Sequence, residues 1–281
     1  MTEIWEGWCR LMRKLVYTNS RNESIDLTKY VIVSDAASLF SRSWNSETSQ
    51  NKLIGFSKKV ATYSITLDVI GKDSTEKANH ILNVLEKDVI FQKSGTLKCD
   101  DWYLKGYFVK SSTGNYVKFS NRITLKLTFT SDLNYWIKES LYIYRKNDEQ
   151  TSDRGLGYAY DFPYDYLSPI SSAILTNSNF MDSPFIMTIY GAVVNPKVII
   201  GGHVYEVETT LDSNEYLIIN AYDKTITKVK KNGERVNEFA LRNKESYIFQ
   251  KIAPGDNTVI INPLCNVDVV VMSERGEPEW T

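Results

Sequence analysis

The chain has 281 residues, 42% hydrophobic and 24% charged, enough apolar material for one large core or two ordinary ones and too balanced for disorder. Lys and Arg number 33 against 34 Asp and Glu, a net charge of −1, so no global field draws the chain to nucleic acid or an anionic membrane. Three widely spaced cysteines, Cys9, Cys99 and Cys265, argue against a disulfide framework and for folding in a reducing compartment. The start alternates charges with Trp5 and Trp8 and lacks the apolar core of a signal peptide. No stretch approaches the roughly 18 apolar residues of a membrane span.

Residues 1–12 are left open. Trp5, Trp8, Leu11 and Leu15 could line a short amphipathic helix, or the segment is a loose arm before a strand over 14–18. Tyr30–Ser34 reads as a short strand, and Ser38–Asn51, rich in Ser, Asn and Thr, as loop. Ala61, Tyr63, Ile65, Leu67 and Val69 alternate with polar residues, as in a half-buried strand. Residues 73–89 then carry the one convincing helical period. Ala78, Ile81, Leu82, Leu85 and Val89 fall on one face, and Asp73 with Glu76 three residues on resembles a capping box. Lys77, Asn79, Asn83, Glu86 and Lys87 form the wet face. Strands are predicted at Val89–Phe91 and Trp102–Lys110, with a hairpin loop at Ser111–Asn115. The next strand places Ile123, Leu125, Leu127 and Phe129 inward and Thr124, Lys126, Thr128 and Thr130 outward.

Tyr142–Tyr166, poor in aliphatics and holding Gly155-Leu156-Gly157, reads as a connector with the domain boundary near Asp161. From Pro184 the signal is all strand. Turns at Asn195-Pro196, Gly201-Gly202, Asp212-Ser213-Asn214, Asp223-Lys224 and Asn232-Gly233 recur every 8–12 residues, and Tyr247–Gln250, Val259–Asn262 and Val267–Met272 complete the strands. The expectation is a mainly β chain with one helix. Residues 1–160 form an N-terminal α+β domain and residues 161–281 a β-sandwich or jelly roll.

No catalytic, cofactor-binding or metal-ligating constellation is legible, and the chain reads as no enzyme. His80 and His203 are isolated, and no zinc spacing or nucleophile elbow occurs. Asp100-Asp101 suit a solvated turn. Glu206 and Glu208 share a strand face, as surface alternation also explains, and Asn22-Glu23-Ser24 is a sequon with no secretion signal to give it use. The tyrosines Tyr158, Tyr160, Tyr164 and Tyr166 suit either a protein or sugar interface or a connector packed on its own domains.

Arg13-Lys14-Leu15-Val16-Tyr17-Thr18-Asn19-Ser20-Arg21, the strand–helix–strand unit and Trp102-Tyr103-Leu104-Lys105-Gly106-Tyr107 resemble the first domain of siphophage distal tail proteins, the Dit family. Ile123–Asp132 followed by Tyr135-Trp136 is similar to that family's exit from the first domain, with Asn134 where proline is common. Phe185-Ile186-Met187-Thr188-Ile189-Tyr190-Gly191 and Asn195-Pro196 resemble the start of its galectin-like second domain, and Glu274-Arg275-Gly276-Glu277-Pro278-Glu279-Trp280-Thr281 resembles its ending. The resemblance implies a ring-forming first domain, assembled as a homo-hexamer at the distal end of the tail within the virion, after synthesis in the bacterial host cytoplasm. It implies contacts to the tail tube protein, the tail-associated tip protein and, in some phages, receptor-binding proteins. It implies no cofactor, no nucleic acid and no membrane insertion. The strand at 61–70 or that at 123–130 is expected at a subunit boundary, since ring contacts often pair exposed strands. Rival readings are a carbohydrate-binding sandwich acting in host attachment, a glycan-degrading enzyme and another ring protein of the tail.

Overall fold

The computed structural model describes residues 14–28, 31–57, 60–116, 121–131, 135–146, 173–262 and 265–279. The chain forms two compact units, residues 1–138 with 274–281, and residues 139–273. The expected boundary near Asp161 and the expected connector beyond Lys146 lie outside the described residues, as do residues 1–12.

The strands β1 (Leu15–Thr18), β2 (Ser24–Asp26), β3 (Val31–Asp35), β4 (Asn45–Ser49), β5 (Lys52–Ser57) and β6 (Ala61–Ile70) precede the helix α1 (Ser74–Phe91). It is followed by β7 (Gly95–Cys99), β8 (Trp102–Tyr116), β9 (Arg122–Ser131) and β10 (Trp136–Tyr144). All pairings are antiparallel, and β8 is the axis. Its first half pairs β7, from Cys99 opposite Trp102 to Gly95 opposite Gly106; its second half pairs β9, from Tyr107 opposite Thr130. One run of pairing therefore goes β2–β1–β7–β8 and the other β8–β9–β6–β3. Gly106 sits at the transfer, where the backbones approach too closely for a side chain: a Cβ there would fall on the Thr130 carbonyl oxygen, with Phe129 Cζ at 2.8 Å. Two bulges, around Val109 and Gly114, carry β8 onward to Tyr116, so the expected loop at 111–115 is strand.

α1 covers the core of this unit. It buries Ala78, Ile81, Val84 and Leu85, and also Asp88, which is 0% exposed. The buried stripe is rotated from the expected one, so Leu82 is half-buried and Val89 exposed. Val89–Phe91, expected as a strand, forms the last helical turn; Gln92, at φ 52°, caps it by sending its N–H back to the Asp88 and Val89 carbonyls. Asp73 occupies the N-cap position but makes no capping bond and pairs with Lys77 at 2.9 Å instead. In the core, Phe108 meets Tyr17 and Phe129 edge-on, with centroids 4.9 and 5.0 Å apart.

β6 and β9 alternate as expected, with Tyr63, Ile65, Leu67 and Val69 buried beside Ile123, Leu125, Leu127 and Phe129. β9 offers no free edge, since β6 and β8 pair it along its length, but β6 meets β3 only between Thr66 and Val69, and in its first half Ser64 bonds the Ser38 hydroxyl instead of a strand. Of the two strands expected at or near a subunit boundary, only β6 keeps an edge, at residues 61–65, for pairing with a neighbouring copy. The segment expected as a loop, 38–51, holds a 3-10 turn at Ala37–Phe40 and β4. Gln50 and Asn51, at φ 46° and 64°, turn β4 into β5 in the left-handed conformation that suits a tight hairpin.

The second unit is a sandwich of two sheets around one core. Its strands are β11 (Ala173–Asn177), β12 (Phe185–Tyr190), β13 (Val193–Val194), β14 (Lys197–Ile200), β15 (His203–Glu206) and β16 (Thr210–Leu211). They continue with β17 (Tyr216–Asn220), β18 (Thr225–Val229), β19 (Arg235–Asn237), β20 (Gly255–Asn262) and β21 (Val267–Arg275). One sheet runs β19–β18–β17–β12–β21 and the other β11–β20–β14–β15. Phe185, Met187, Leu217, Ile219, Val267 and Val269 from the first share a buried cluster with Leu175, Val198, Tyr205 and Val259 from the second. β11 was not foreseen. Tyr247–Gln250, expected as a strand, is a turn closed by Gln250 N–H to the Tyr247 carbonyl, and its Ile248 and Phe249 plug the core. The Asn232-Gly233 hairpin exists, but Val229 opposite Arg235 makes its loop longer than two residues.

Within this sandwich Glu215 pairs with Lys228 at 2.8 Å and accepts the Asp212 N–H at 3.1 Å. The Lys228 hydrogen bond, then the Asp212 N–H, hold the Glu215 carboxyl below the usual range. A carboxyl depressed in the fold stabilises it fully above its unfolded value of about 4.3, and that contribution disappears as pH falls through the folded value. Glu215→Gln should therefore flatten the acid limb of the second unit's stability, read by far-UV circular dichroism in urea from neutral to acid pH. An unchanged slope would show that the pair contributes nothing.

Candidate assembly surfaces

The residues singled out for chemistry do not converge. His80 is exposed on α1, beside a shallow hollow it shares with Ile25, Asp26, Asp73, Glu76, Lys77 and Ile81. His203 lies just after Gly201 and Gly202, at φ 57° and 82°, in a two-residue hairpin between β14 and β15. Its Nε2 is 2.9 Å from the Tyr247 carbonyl and its ring meets Tyr205 edge-on. Asp100 and Asp101 form the two-residue turn between β7 and β8, where Asp100 accepts the Lys14 N–H at 3.0 Å. Glu206 accepts from Asn243 at 2.8 Å and lies 3.7 Å from Lys197, while Glu208 is exposed past the end of β15. Asn22, at φ 64°, is in the tight turn joining β1 and β2. Among the described residues, no group of three or more His, Cys, Asp or Glu could hold a metal ion. Gly155-Leu156-Gly157 and the tyrosines Tyr158, Tyr160, Tyr164 and Tyr166 lie outside the described residues.

What the first unit does present is apolar surface that none of the described residues covers. β4 and β5 pair only with each other. Their register places Phe56 opposite Ser46 and Leu53 opposite Thr48, with Ile54 as an extra residue on β5. Ser46 and Thr48 share a face of β4, so the bulge turns Leu53 and Phe56 to that same face. Glu47 and Ser49, with their partners Gly55 and Lys52, take the other. The ribbon is thus amphipathic, and its apolar residues are open: Leu53 is 55% exposed, Ile54 66% and Phe56 63%. Sequence reading missed this face. Its signal was the run Leu53-Ile54-Gly55-Phe56 just after Gln50-Asn51, overlooked within Ser- and Asn-rich surroundings.

The second apolar surface lies where α1 crosses β8. Leu82, Leu85, Val89, Phe108, Val109 and Leu127 line a groove of about 270 Å³, with Glu86 and Lys110 at its rim. The bulge at Val109 and the exposed last turn of α1 shape its opening. The polar sheet face elsewhere is internally satisfied: Asp68 takes a forked pair from Arg122 at 3.2 and 2.7 Å and the Thr124 hydroxyl at 2.6 Å. That carboxylate hydrogen bond raises the Arg122 guanidinium further above its ordinary value.

Taken together, these features define a β-rich, two-unit chain with a helix-covered first unit, a β-sandwich second unit and uncovered apolar surface, an architecture suited to assembly. The fold is that of the Dit hub and baseplate proteins of phage tails. The chain is similar to the Dit protein of phage SPP1, described as a paradigm of the hub adsorption apparatus in phages infecting Gram-positive hosts, at TM-score 0.60 and 10% identity over 94% of this chain and 99% of that one. It is also similar to chains of the phage P2 baseplate in its activated conformation. With calcium the TM-score is 0.63 at 13% identity, and with strontium 0.62 at 15%; each match covers 95% of this chain and 100% of the other. No family model and no curated protein matches the sequence.

Proposed function

We propose that the chain is a structural virion protein, the distal tail hub that joins the tail tube to the baseplate or tip and anchors host-adhesion components. The observation that carries this reading is the likeness to hub and baseplate chains over nearly the whole length of both partners. Six copies of the first unit close a ring, and the second unit, a galectin-like sandwich, serves the adhesion apparatus. The partners are a tail tube protein, a tip protein and, where present, a receptor-binding protein. A closed ring needs two different, mutually complementary surfaces on each copy, and no reactive residue. An uncovered apolar hairpin is poorly suited to a free monomer and well suited to a subunit.

Light scattering on a sizing column tests the assembly. The expected species has six times the 32.3 kDa mass of the chain and gives ring images in negative stain. A 32.3 kDa species at every concentration would overturn self-assembly into a ring.

A further inference from the structure

The first unit carries a ridge and a groove, and none of the described residues covers either. The ridge is the apolar face of the β4–β5 ribbon, made by Leu53 and Phe56 with Ile54 at the bulge. The groove lies between α1 and β8, about 270 Å³, floored by Leu85, Phe108 and Leu127 and walled by Leu82, Val89 and Val109. We infer that the ribbon of one copy seats in the α1–β8 groove of the next, with Phe56 as the anchor side chain. The inference rests on the ring reading and assigns the surfaces that would build it.

Three observations favour a second copy as the occupant. Each copy brings one ridge and one groove, so a head-to-tail contact covers both on every subunit and leaves none over once a ring closes. The groove's volume is of the size that one aromatic side chain with an aliphatic neighbour fills. The charges also match. The ribbon itself carries one exposed base, Lys52, and one exposed acid, Glu47, both on the face away from Leu53 and Phe56. On α1, Lys77 and Lys87 are engaged by Asp73 and Glu23, while Glu76 and Glu86 make no ion pair among the described residues. The groove's rim holds Glu86 and Lys110, so Lys52 and Glu47 of the ribbon each have an opposite charge there to meet, which would steer the encounter and fix its direction.

The test is a cysteine pair. Leu53→Cys and Val109→Cys are combined in a Cys9→Ser background; Cys99 and Cys265 are buried and stay out of the reaction. A disulfide forms only when the two Cβ atoms come within about 4.5 Å, so mild oxidation reports the contact directly. The expected result is a reducible ladder from dimer to a closed species of six, from the double variant alone. A single-cysteine variant can reach no further than a dimer. In parallel, Phe56→Asp should reduce the assembled species to monomer while leaving the subunit's unfolding transition in place, since the side chain is solvent-exposed in the free chain. Assembly to the ring mass without a ladder overturns the docking and leaves the ring reading standing, with the ribbon assigned to another tail protein. Absence of assembly in the unaltered chain, with no ladder in the double variant, overturns both.

Discussion

Asp88→Ala should destabilise the first unit by about 3 kcal/mol, among the largest effects of any single change in the chain. Asp88 is fully buried on the core side of α1, where a hydrophobic stripe would otherwise place an aliphatic residue. It stays because three donors converge on it. The Tyr17 hydroxyl reaches Oδ2 at 2.5 Å, and the Ser20 N–H and hydroxyl reach Oδ1 at 2.9 and 2.7 Å. Gly95 makes room for the first of these bonds, since a Cβ there would land on the Tyr17 hydroxyl and on Asp88 Oδ2. Burial first, and the neighbouring carboxylate second, keep the Tyr17 hydroxyl protonated far above the ordinary tyrosine range, so it serves only as donor. Truncating Asp88 leaves the wholly buried Tyr17 hydroxyl without its acceptor and strips two bonds from Ser20, at about 1–3 kcal/mol for each buried orphan. Tyr17→Phe alone should cost less, and the double variant less than the sum of the two, which a double-mutant cycle in urea measures. All six tryptophans lie in residues 1–138 and 274–281, so tryptophan fluorescence follows the first unit alone. A loss below about 1 kcal/mol in Asp88→Ala would show that solvent already satisfies these donors.

Asp88 also marks the limit of what the sequence could disclose. The helix was legible because its apolar residues recur at 3.6-residue spacing, but the stripe came out rotated because an acid occupies one of the core positions. Nothing local to Asp88 reveals that Tyr17 and Ser20, some seventy residues earlier, will meet it. Val89-Ile90-Phe91 read as a strand because β-branched and aromatic residues favour pleated surfaces, yet the helix simply continues to its left-handed cap at Gln92. The strands at 61–70 and 123–131 were the clearest elements, since alternation is a property of the strand itself. Which strands lie at sheet edges is a property of pairing, which no single strand's sequence carries. The sandwich was legible from its turns, since Asn and Gly mark positive φ directly, as at Asn195, Asn214, Gly201 and Gly233. The assembly surface was the least legible part. Leu53 and Phe56 are three apart, a spacing that places strand residues on opposite faces unless a bulge intervenes, and the bulge at Ile54 is visible only in the register.

Gly106→Ala should destabilise the first unit by on the order of 3 kcal/mol and leave the second unit's transition where it is. β8 serves two runs of pairing, with β7 through Gly106 and with β9 from Tyr107, so the backbones crowd at the transfer point. The obstacle to a new methyl group is the Thr130 carbonyl oxygen, which is held in the β8–β9 ladder and cannot swing aside as a side-chain tip would. Relief requires the strands to part, and forced overpacking of this kind costs about 1–3 kcal/mol or more. Gly114→Ala is the matched control on the same strand. There an added Cβ meets only the Thr124 and Lys126 side chains, at 3.2 and 3.3 Å, and those yield at an exposed site, so a change within about 0.5 kcal/mol is expected. The buried clusters of the two units share no residue, so each should melt on its own core. Tryptophan fluorescence should then report an early first transition in Gly106→Ala, while far-UV circular dichroism retains a second at its original midpoint. Coincident, equally shifted transitions would mean that the units unfold as one cooperative block, and that strain at the β8 transfer point reaches the sandwich as well.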